Sequence, residues 1–332
     1  MVLKRLFVGA LAVFFLGGCQ AAPASAPVVS APAEHSILAA TPSLVPVPTP
    51  AAPTPSPAPP EPFSLLWISD TQNMSRDNFA PVMAMADWAM EKAEALNLLY
   101  IIHTGDIVGN GLKESYWERI APAMDKLRQA APLMTAAGNH DVGKRRNYEP
   151  YLQWRFDTLN TPPFLYQDGR GSYAPLETDV GNFLLLSMGI TISEEGFQWL
   201  NAVLAQYPDH IAILAVHDYL TSRGGHTSEG SRLFENVVKE NPNLRFVLCG
   251  HRRWINRLDS LLDDDGDGIS DRTVYQMMYN YQNDSKQTGY FRILTFYPDR
   301  SLQVTTYSPW LDDYNYFENR QDEETFRIEN AF

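Results

Sequence analysis

The sequence predicts an α/β fold in which buried strands alternate with helices. Short, continuous apolar runs recur from residue 63 onward, and stretches with the apolar spacing of a helix lie between several of them. Continuous apolar runs of this length are typical of strands that are covered on both faces, as in layered α/β structures. The hydrophobic content of 45% and the aromatic content of 12% indicate a sizeable core and argue against a disordered chain.

The apolar runs and the helical spacing place the elements along the chain. Strands are predicted at Phe63–Ile68, Leu98–His103, Leu133–Ala136, Phe183–Ser187, Ile211–Val216 and Arg245–Cys249. Helices are predicted at Phe79–Leu96, Lys113–Ala130, Glu194–Gln206 and Glu229–Glu240. Strand-like runs with no helix between them follow at Val274–Tyr279, Tyr290–Phe296 and Leu302–Tyr307. The last three runs predict antiparallel strands added to the sheet system.

Residues 1–19 have the pattern of an export signal. Lys4 and Arg5 precede an apolar run of 11 residues, Leu6–Leu16, which suits a signal-peptide core and is short for a membrane span. The run ends in the letters LGGC, which resemble a bacterial lipobox, where the cysteine is acylated and becomes the new N-terminus. An ordinary signal peptide that contains a cysteine is the alternative. We predict a lipoprotein signal with lipidation at Cys19.

Residues 20–62 are rich in Pro and Ala and show no helical or strand period. Such a segment cannot bury a core, so we predict an extended, disordered linker that leads to a single domain over residues 63–332. The protein is then exported and lipid-anchored to a bacterial membrane, on its periplasmic face or at the cell surface. Cys249 lies in an apolar run and is predicted to be a buried, unreactive side chain.

The formal net charge of −13 limits the classes of partner. An acidic chain repels nucleic-acid backbones, so general nucleic-acid binding is not expected. A small phosphorylated substrate remains compatible with this charge, because bound metal ions supply local positive charge.

Five of the predicted strands are followed by side chains that bind metals or transfer protons. In chain order these are Asp70, Asp106, Asn139 with His140, His217 and His251. Taken singly, each has an ordinary explanation, because a strand-end Asp is often a turn residue and a lone His is often a core or surface residue. In layered α/β folds, however, side chains beyond the carboxyl ends of strands converge on one crevice. Their joint occurrence therefore predicts a shared site.

The order of these residues resembles that of the calcineurin-like metallophosphoesterases, or metallo-dependent phosphatases. The family's order is D-x-H, G-D, G-N-H-[DE], a lone His and G-H-x-H. This chain has Asp70-Thr71-Gln72, Gly105-Asp106, Gly138-Asn139-His140-Asp141, His217 and Gly250-His251-Arg252-Arg253, within residues 63–253. The resemblance implies a four-layer sandwich of two mixed β-sheets flanked by helices. The sequence around Tyr281 and Tyr307 resembles the extracellular bacterial branch of the family.

The resemblance also implies a hydrolase with two divalent or trivalent metal ions. The ligands implied by motif position are Asp70, Asp106, Asn139, His217 and His251, with Asp106 bridging the two ions. These oxygen and imidazole ligands suit Mn, Fe or Zn. A metal-bound hydroxide would attack the phosphorus of a phosphomonoester or phosphodiester, and His140 would stabilise the transition state or protonate the leaving oxygen.

Two departures from the family pattern concern the first metal site, for which Asp70 and Asp106 are the implied ligands. Gln72 stands where the family has its first His, and it can still offer a carbonyl oxygen. Arg253 stands in place of the second His of G-H-x-H and stays protonated, so it cannot bind a metal. It can instead grip the phosphate, and Arg252 is an equal candidate for that role. We expect the first site to bind its ion weakly or to be empty.

Two functional hypotheses follow from these departures. The first is an active phosphoesterase in which His140, Asp106 and Arg253 contribute to catalysis. The second is a catalytically impaired, metal-stabilised surface module that binds its ligand without turnover. Gln72 and Arg253 are the residues that keep the second hypothesis open.

A second cation site is predicted in the acidic run from Asp263 to Asp271. Its D-x-D-x-D-G pattern resembles a calcium loop, with Asp263, Asp265, Asp267 and Asp271 as the ligands. Val274 stands where such loops carry a bidentate Glu. An acidic hairpin loop without an ion is the alternative interpretation.

Overall fold

Two β-sheets face each other and carry helices on their outer faces in the computed structural model, which describes residues 59–156, 164–282 and 288–332. The predicted signal peptide, Cys19 and all but the last few residues of the predicted linker lie outside the described residues. Within the described ranges, no helix is both long enough and apolar enough to span a bilayer.

The strands are short, and most coincide with the apolar runs. They are β1 (Phe63–Ile68), β2 (Leu98–His103), β3 (Leu133–Thr135), β4 (Leu165–Tyr166), β5 (Gly171–Thr178), β6 (Gly181–Met188), β7 (Ile211–Val216), β8 (Leu244–Cys249), β9 (Ile255–Leu262), β10 (Arg272–Tyr279), β11 (Phe291–Phe296), β12 (Leu302–Ser308), β13 (Asp313–Tyr314) and β14 (Phe326–Ile328). Since β1, β2 and β7 have the predicted bounds, a continuous apolar run was a sufficient signal for these strands.

The helices lie mainly in the first two thirds of the chain. They are α1 (Gln72–Asp77), α2 (Ala80–Lys92), α3 (Glu114–Ala130), α4 (Asn139–Val142), α5 (Glu149–Trp154), α6 (Glu194–Gln206), α7 (Ser228–Leu233) and α8 (Gln321–Glu324). A 3₁₀-helix spans Gln167–Gly169, and a π-helix, Phe234–Val238, continues α7. The predicted Glu229–Glu240 helix is therefore an α-helical turn that widens into a π-helix.

Both sheets are mixed, as predicted. The first has the strand order β13–β12–β11–β1–β2–β3, with β14 also paired to β12. The second has the order β4–β5–β6–β7–β8–β10–β9. Strands β11 and β12 are antiparallel additions to the first sheet, in agreement with the prediction. Strand β10 differs, because it runs parallel to β8 and is antiparallel only to β9. The apolar pattern did not predict β9. This strand carries the chain back in the direction opposite to β8, so that β10 again runs in the direction of β8.

Three apolar layers explain why the strands read as continuous apolar runs. The layer between the sheets contains Trp67 and Leu65 from the first sheet and Phe183 and Leu248 from the second. A second layer joins the outer face of the first sheet to α2 and α3, and a third joins the outer face of the second sheet to α6 and α7. Each central strand therefore buries both faces. This arrangement confirms the predicted four-layer sandwich.

Candidate metal centre

The carboxyl ends of strands from both sheets meet at one edge of the sandwich. Asp70 follows β1, Asp106 follows β2 and Asn139 begins α4 just after β3; all three belong to the first sheet. His217 directly follows β7 and His251 follows β8, both in the second sheet. The strands concerned are parallel within each sheet, which is why their ends lie together.

Asp106, His217 and His251 form a tight group. One ligand atom from each lies within 4.8 Å of the other two. The Nε2 atom of His217 lies 3.3 Å from Asp106 Oδ2 and 3.2 Å from Asn139 Oδ1. The structure thus brings together the residues that the family motif implies for the second metal site.

Asp70 adjoins this group through its carboxylate. The backbone N–H of His251 donates to Asp70 Oδ2 at 3.0 Å, and the Ser69 hydroxyl donates to the same oxygen at 2.6 Å. The backbone N–H of Asp70 donates to Gly105 O, which ties the end of β1 to the end of β2. Asp70 is therefore held beside the second sheet although it follows a strand of the first.

The orientation of His217 suits metal binding. Its Nδ1 lies 2.9 Å from the carbonyl oxygen of Thr104, which can only accept, so Nδ1 carries the hydrogen. The other ring nitrogen, Nε2, then faces Asp106 and Asn139. A histidine that donates from one nitrogen to a carbonyl and offers the other is the usual arrangement at a metal.

The site holds buried negative charge that calls for a cation. Burial raises the pKa of Asp70 to about 7, and the nearby Asp106 carboxylate acts in the same direction. Burial alone would lower the pKa of His217, but the Asp106 and Asp70 carboxylates outweigh it and raise that pKa to about 10. At neutral pH the proton on His217 supplies the counter-charge that the buried carboxylates need, and a metal ion among these groups would take its place.

His251 has the properties of a neutral imidazole ligand. Burial lowers its pKa to about 4, and the charges of His217 and Arg252 contribute to the same shift. Its ring lies edge-on to the His217 ring, with centroids 4.8 Å apart. Arg252 and Arg253 follow it, and both side chains are exposed. The positive charge of Arg252 therefore helps to keep the His251 imidazole neutral, and phosphate binding by either arginine stays a prediction.

Gln72 meets Asp106 through its amide nitrogen. Its Nε2 donates to Asp106 Oδ2 at 3.0 Å, while its carbonyl Oε1 is buried and has no hydrogen-bond partner among the described residues. A buried acceptor without a partner is unusual and suits a bound ion or substrate donor. The residues present therefore fit a metal: carboxylates, an amide oxygen and two imidazoles in one buried group.

His140 lies at the mouth of the site. Its side chain is exposed, and its Nδ1 donates to Gly109 O at 3.2 Å. Its backbone N–H donates to Asp106 Oδ1 at 2.8 Å, which fixes α4 against the Asp106 carboxylate. An exposed imidazole on a rigid backbone can deliver a proton to a leaving group.

Two glycines allow the ligand strands to approach closely. A Cβ at Gly138 would overlap the side chain and backbone of Asp106, and a Cβ at Gly250 would overlap Asp70 and Ser69. Asp70, Asp106 and His251 themselves have φ values of +54°, +53° and +69°. Such left-handed backbone is uncommon outside glycine and is often found at functional sites.

Asp141 has a role that the sequence motif did not reveal. It is fully buried, and its two oxygens accept from the backbone N–H groups of Gly138 and Val108. It therefore joins the loop after β3 to the loop after β2. Its position in the GNHD motif marked Asp141 as a candidate residue. The motif could not reveal this role, because both of its hydrogen-bond partners are backbone N–H groups.

The acidic loop lies at the far end of the β9–β10 hairpin from His251. Leu262 pairs with Arg272 beside the loop, whereas Ile255 pairs with Tyr279 at the other end. Carboxylate oxygens of Asp263, Asp265 and Asp267 lie within 4.8 Å of one another, and Asp271 accepts from the backbone N–H of Asp264. Calcium binding there stays a prediction, separate from the metal centre.

Comparisons with known proteins agree with this architecture. Residues 63–252 match the family described as calcineurin-like phosphoesterase. An uncharacterized protein of Bacillus subtilis strain 168, YvnB, is 35% identical over 264 residues, which cover 77% of this chain and 20% of YvnB. The chain thus spans only a fifth of that relative.

A purple acid phosphatase, PPD1 from yellow lupin (Lupinus luteus) seeds, has a similar solved structure. Its TM-score is 0.55 with 13% identity, and the match covers 82% of this chain and 55% of the lupin chain. At this identity the likeness concerns the fold, and it agrees with the two-sheet sandwich described above.

Proposed function

The chain belongs to the calcineurin-like phosphoesterase family, and we propose that it hydrolyses a phosphomonoester or phosphodiester outside the cytoplasm. The observation that carries this proposal is the buried group of Asp106, His217 and His251, with Asn139 beside it, at the strand ends of both sheets. Members of the family bind dinuclear metal centres.

Two sets of residues would hold the metals. One ion would be held by Asp106, Asn139, His217 and His251. The other would be held by Asp70, Asp106 and the free carbonyl oxygen of Gln72. Mn, Fe and Zn suit this mixture of oxygen and imidazole donors. When bound, such ions lower the pKa of water and offset phosphate charge.

The chain's own groups then orient the reactants. The Thr104 carbonyl and the Ser69 hydroxyl hold His217 and Asp70 in place. His140, exposed at the mouth, would protonate the leaving oxygen. Arg252 or Arg253, exposed after His251, would bind the phosphate oxygens, for which a guanidinium is well suited.

A metal-stabilised binding module is the second candidate. Arg253 favours it, because a guanidinium stays protonated and cannot replace the His that the family pattern has at this position, so the first site has fewer metal ligands than the family pattern. In this case the second metal set would remain and the phosphoester would bind without turnover.

The test is hydrolysis of 4-nitrophenyl phosphate and bis(4-nitrophenyl) phosphate with Mn, Zn, Fe or Ca added, or with a chelator. We expect metal-dependent turnover, and Asp106→Asn should abolish it. Asp87 is an exposed carboxylate on α2, so the control variant Asp87→Asn should retain the activity. Metal content is measured in each protein. A folded protein that holds one ion per chain and turns over neither ester would support the binding module instead.

The location of the protein is also a proposal, supported by the sequence of its first 19 residues. A lipid on Cys19 would hold the domain at a bacterial membrane, on the periplasmic face or at the surface. We expect Cys19→Ser to move the protein from the membrane fraction to the soluble exported fraction. Retention of that variant in the membrane fraction would contradict lipid anchoring at Cys19.

A further inference from the structure

A groove opens beside the metal centre, between the loops that follow β2 and β3. Its lining includes Gly109, Leu112, Asn139, His140, Lys144 and Arg145. Asn139 and His140 thus belong both to the metal centre and to this groove. A substrate bound at the metals would have direct access to it.

The two walls of the groove are fixed to each other. The backbone N–H of Gly111 donates to His140 O at 2.9 Å, and the His140 ring donates back to Gly109 O. Gly143, with a φ of +66°, turns the chain against the Leu112 side chain. Leu112 is 53% exposed and offers an apolar surface within the groove. The groove is therefore a built feature of the fold.

The charge of the groove is opposite to that of the chain. The chain carries a net charge of −13, yet the groove is lined by Lys144 and Arg145 and, among the residues that the structure describes, by no acidic residue; Arg146 follows them. In the part of the chain that the structure describes, neither Lys144 nor Arg145 forms an ion pair. Many other surface cations are paired, such as Arg232 with Glu194 and Arg327 with Asp299. Unpaired cations beside an active site attract anionic substrates.

From this position we infer that the leaving group of the substrate carries a second phosphate, which Lys144 and Arg145 bind. The inference rests on the proposed function, in which His140 protonates the leaving oxygen. The leaving group must then lie on the His140 side, and that side is the groove. Leu112 would contact the carbon chain between the two phosphates, and the cations would contact the distal one.

The first measurement is binding, which does not depend on turnover. Alkylphosphonates and alkane-α,ω-bisphosphonates of two, four and six carbons are titrated calorimetrically into the metal-loaded protein. We expect at least one bisphosphonate to bind about tenfold tighter than the matching monophosphonate, which corresponds to about 1.4 kcal/mol. The corresponding mono- and bisphosphate esters are then assayed for release of inorganic phosphate, and the same preference is expected in kcat/KM.

The double variant Lys144→Gln/Arg145→Gln tests the residues. It should reduce the bisphosphonate preference to about twofold, the statistical factor for two equivalent ends. Lys92→Gln/Arg128→Gln removes the same charge from exposed positions on α2 and α3 and should retain the preference. If both double variants lose it equally, net charge rather than the groove is responsible and the inference is wrong.

The remaining outcomes separate this inference from the proposed function. Hydrolysis of all esters without a bisphosphonate preference at any length would overturn the second-phosphate site and leave the hydrolase intact. A bisphosphonate preference without turnover would support the groove and count against the hydrolase. Equal affinity for a bisphosphonate and its ω-carboxylate analogue would overturn the choice of a phosphate as the distal group.

Discussion

Thr104 is the residue that links the ligands of the two sheets. Its hydroxyl accepts from Trp67 Nε1 at 3.1 Å and donates to Ser69 Oγ at 2.7 Å, and Ser69 in turn donates to Asp70. Its carbonyl accepts from His217 Nδ1. One residue therefore orients Asp70 through its side chain and His217 through its backbone.

Thr104→Val separates these two roles, because valine keeps the shape and the carbonyl but lacks the hydroxyl. Trp67 Nε1 loses its partner and Ser69 loses a donor, so we expect a loss of about 1–3 kcal/mol in the free energy of unfolding. Metal affinity should fall about 10- to 100-fold, as is usual when a group that orients a ligand is removed. Urea denaturation and metal titration measure the two effects.

Thr305→Val is the matched control for that substitution. Thr305 is half-buried on β12, in the sheet to which β2 also belongs. We expect its replacement to change stability by less than about 0.5 kcal/mol and metal affinity not at all. Unchanged metal affinity in Thr104→Val would show that the hydroxyl chain does not orient Asp70.

The sequence revealed the candidate ligands but not the residues that hold them. Asp70, Asp106, His217 and His251 could be identified because each follows an apolar run and carries a distinctive side chain. Thr104 could not, since a Thr beside a Gly-Asp pair has no unusual sequence signal. Its partners lie in or directly after two strands of different sheets, β1 and β7, and only the fold brings them together.

At the scale of elements, prediction followed burial. Strands buried on both faces were found with bounds that are correct or off by a few residues, as β1 and β7 show. The edge strand β9 was missed because its outward positions are polar or exposed, including Arg257 and Asp259. Strand β5 was missed because it contains Pro175 and has no long apolar run. β9 lies at one edge of the second sheet and β5 next to the other, and both lack the continuous apolar pattern that revealed the central strands.

Helix α3 contains a proline that weakens it. Pro122 lies inside Glu114–Ala130 and its side chain is exposed, so no packing depends on it. A proline removes one helical hydrogen bond and clashes with the preceding turn, at a cost of about 3 kcal/mol. Replacement by alanine should remove much of this cost. It also gives the unfolded chain more conformational freedom, which lowers the gain in stability by about 0.4–1 kcal/mol.

We therefore expect Pro122→Ala to raise the free energy of unfolding by about 1–2 kcal/mol. Thermal and urea denaturation measure the change. Gln129→Ala, at an exposed position of the same helix, should change stability by less than about 0.5 kcal/mol. A loss of stability in Pro122→Ala would mean that the backbone conformation imposed by the proline is needed for α3 to cover the sheet.

At the scale of the whole molecule, a metal ion would cross-link the two sheets. Asp70, Asp106 and Asn139 belong to the first sheet, whereas His217 and His251 belong to the second. A bound ion would stabilise the folded chain by about 2.7 kcal/mol when its concentration is 100 times its dissociation constant. Unfolding separates these ligands, so metal binding is linked to the stability of the entire sandwich.

Chelation should therefore lower the midpoint of thermal unfolding, and added Mn or Zn should restore it. Differential scanning calorimetry with and without a chelator measures the shift. Asp106→Asn should show a much smaller shift, because it removes a charge that both ions would share. An equal shift in Asp106→Asn would place the stabilising ion elsewhere, and the acidic loop at Asp263–Asp271 would become its candidate location.

The buried thiol of Cys249 gives the molecule an internal reporter of opening. It ends β8, lies two residues before His251 and is fully buried, and burial raises the pKa of its thiol well above the ordinary range. A thiol reagent can reach it only when the end of β8 separates from the second sheet, so the rate of labelling reports how often this local opening occurs. Metal bound at His251 should lower the rate at which Cys249 is labelled, and ligands that occupy only the acidic loop should leave that rate unchanged.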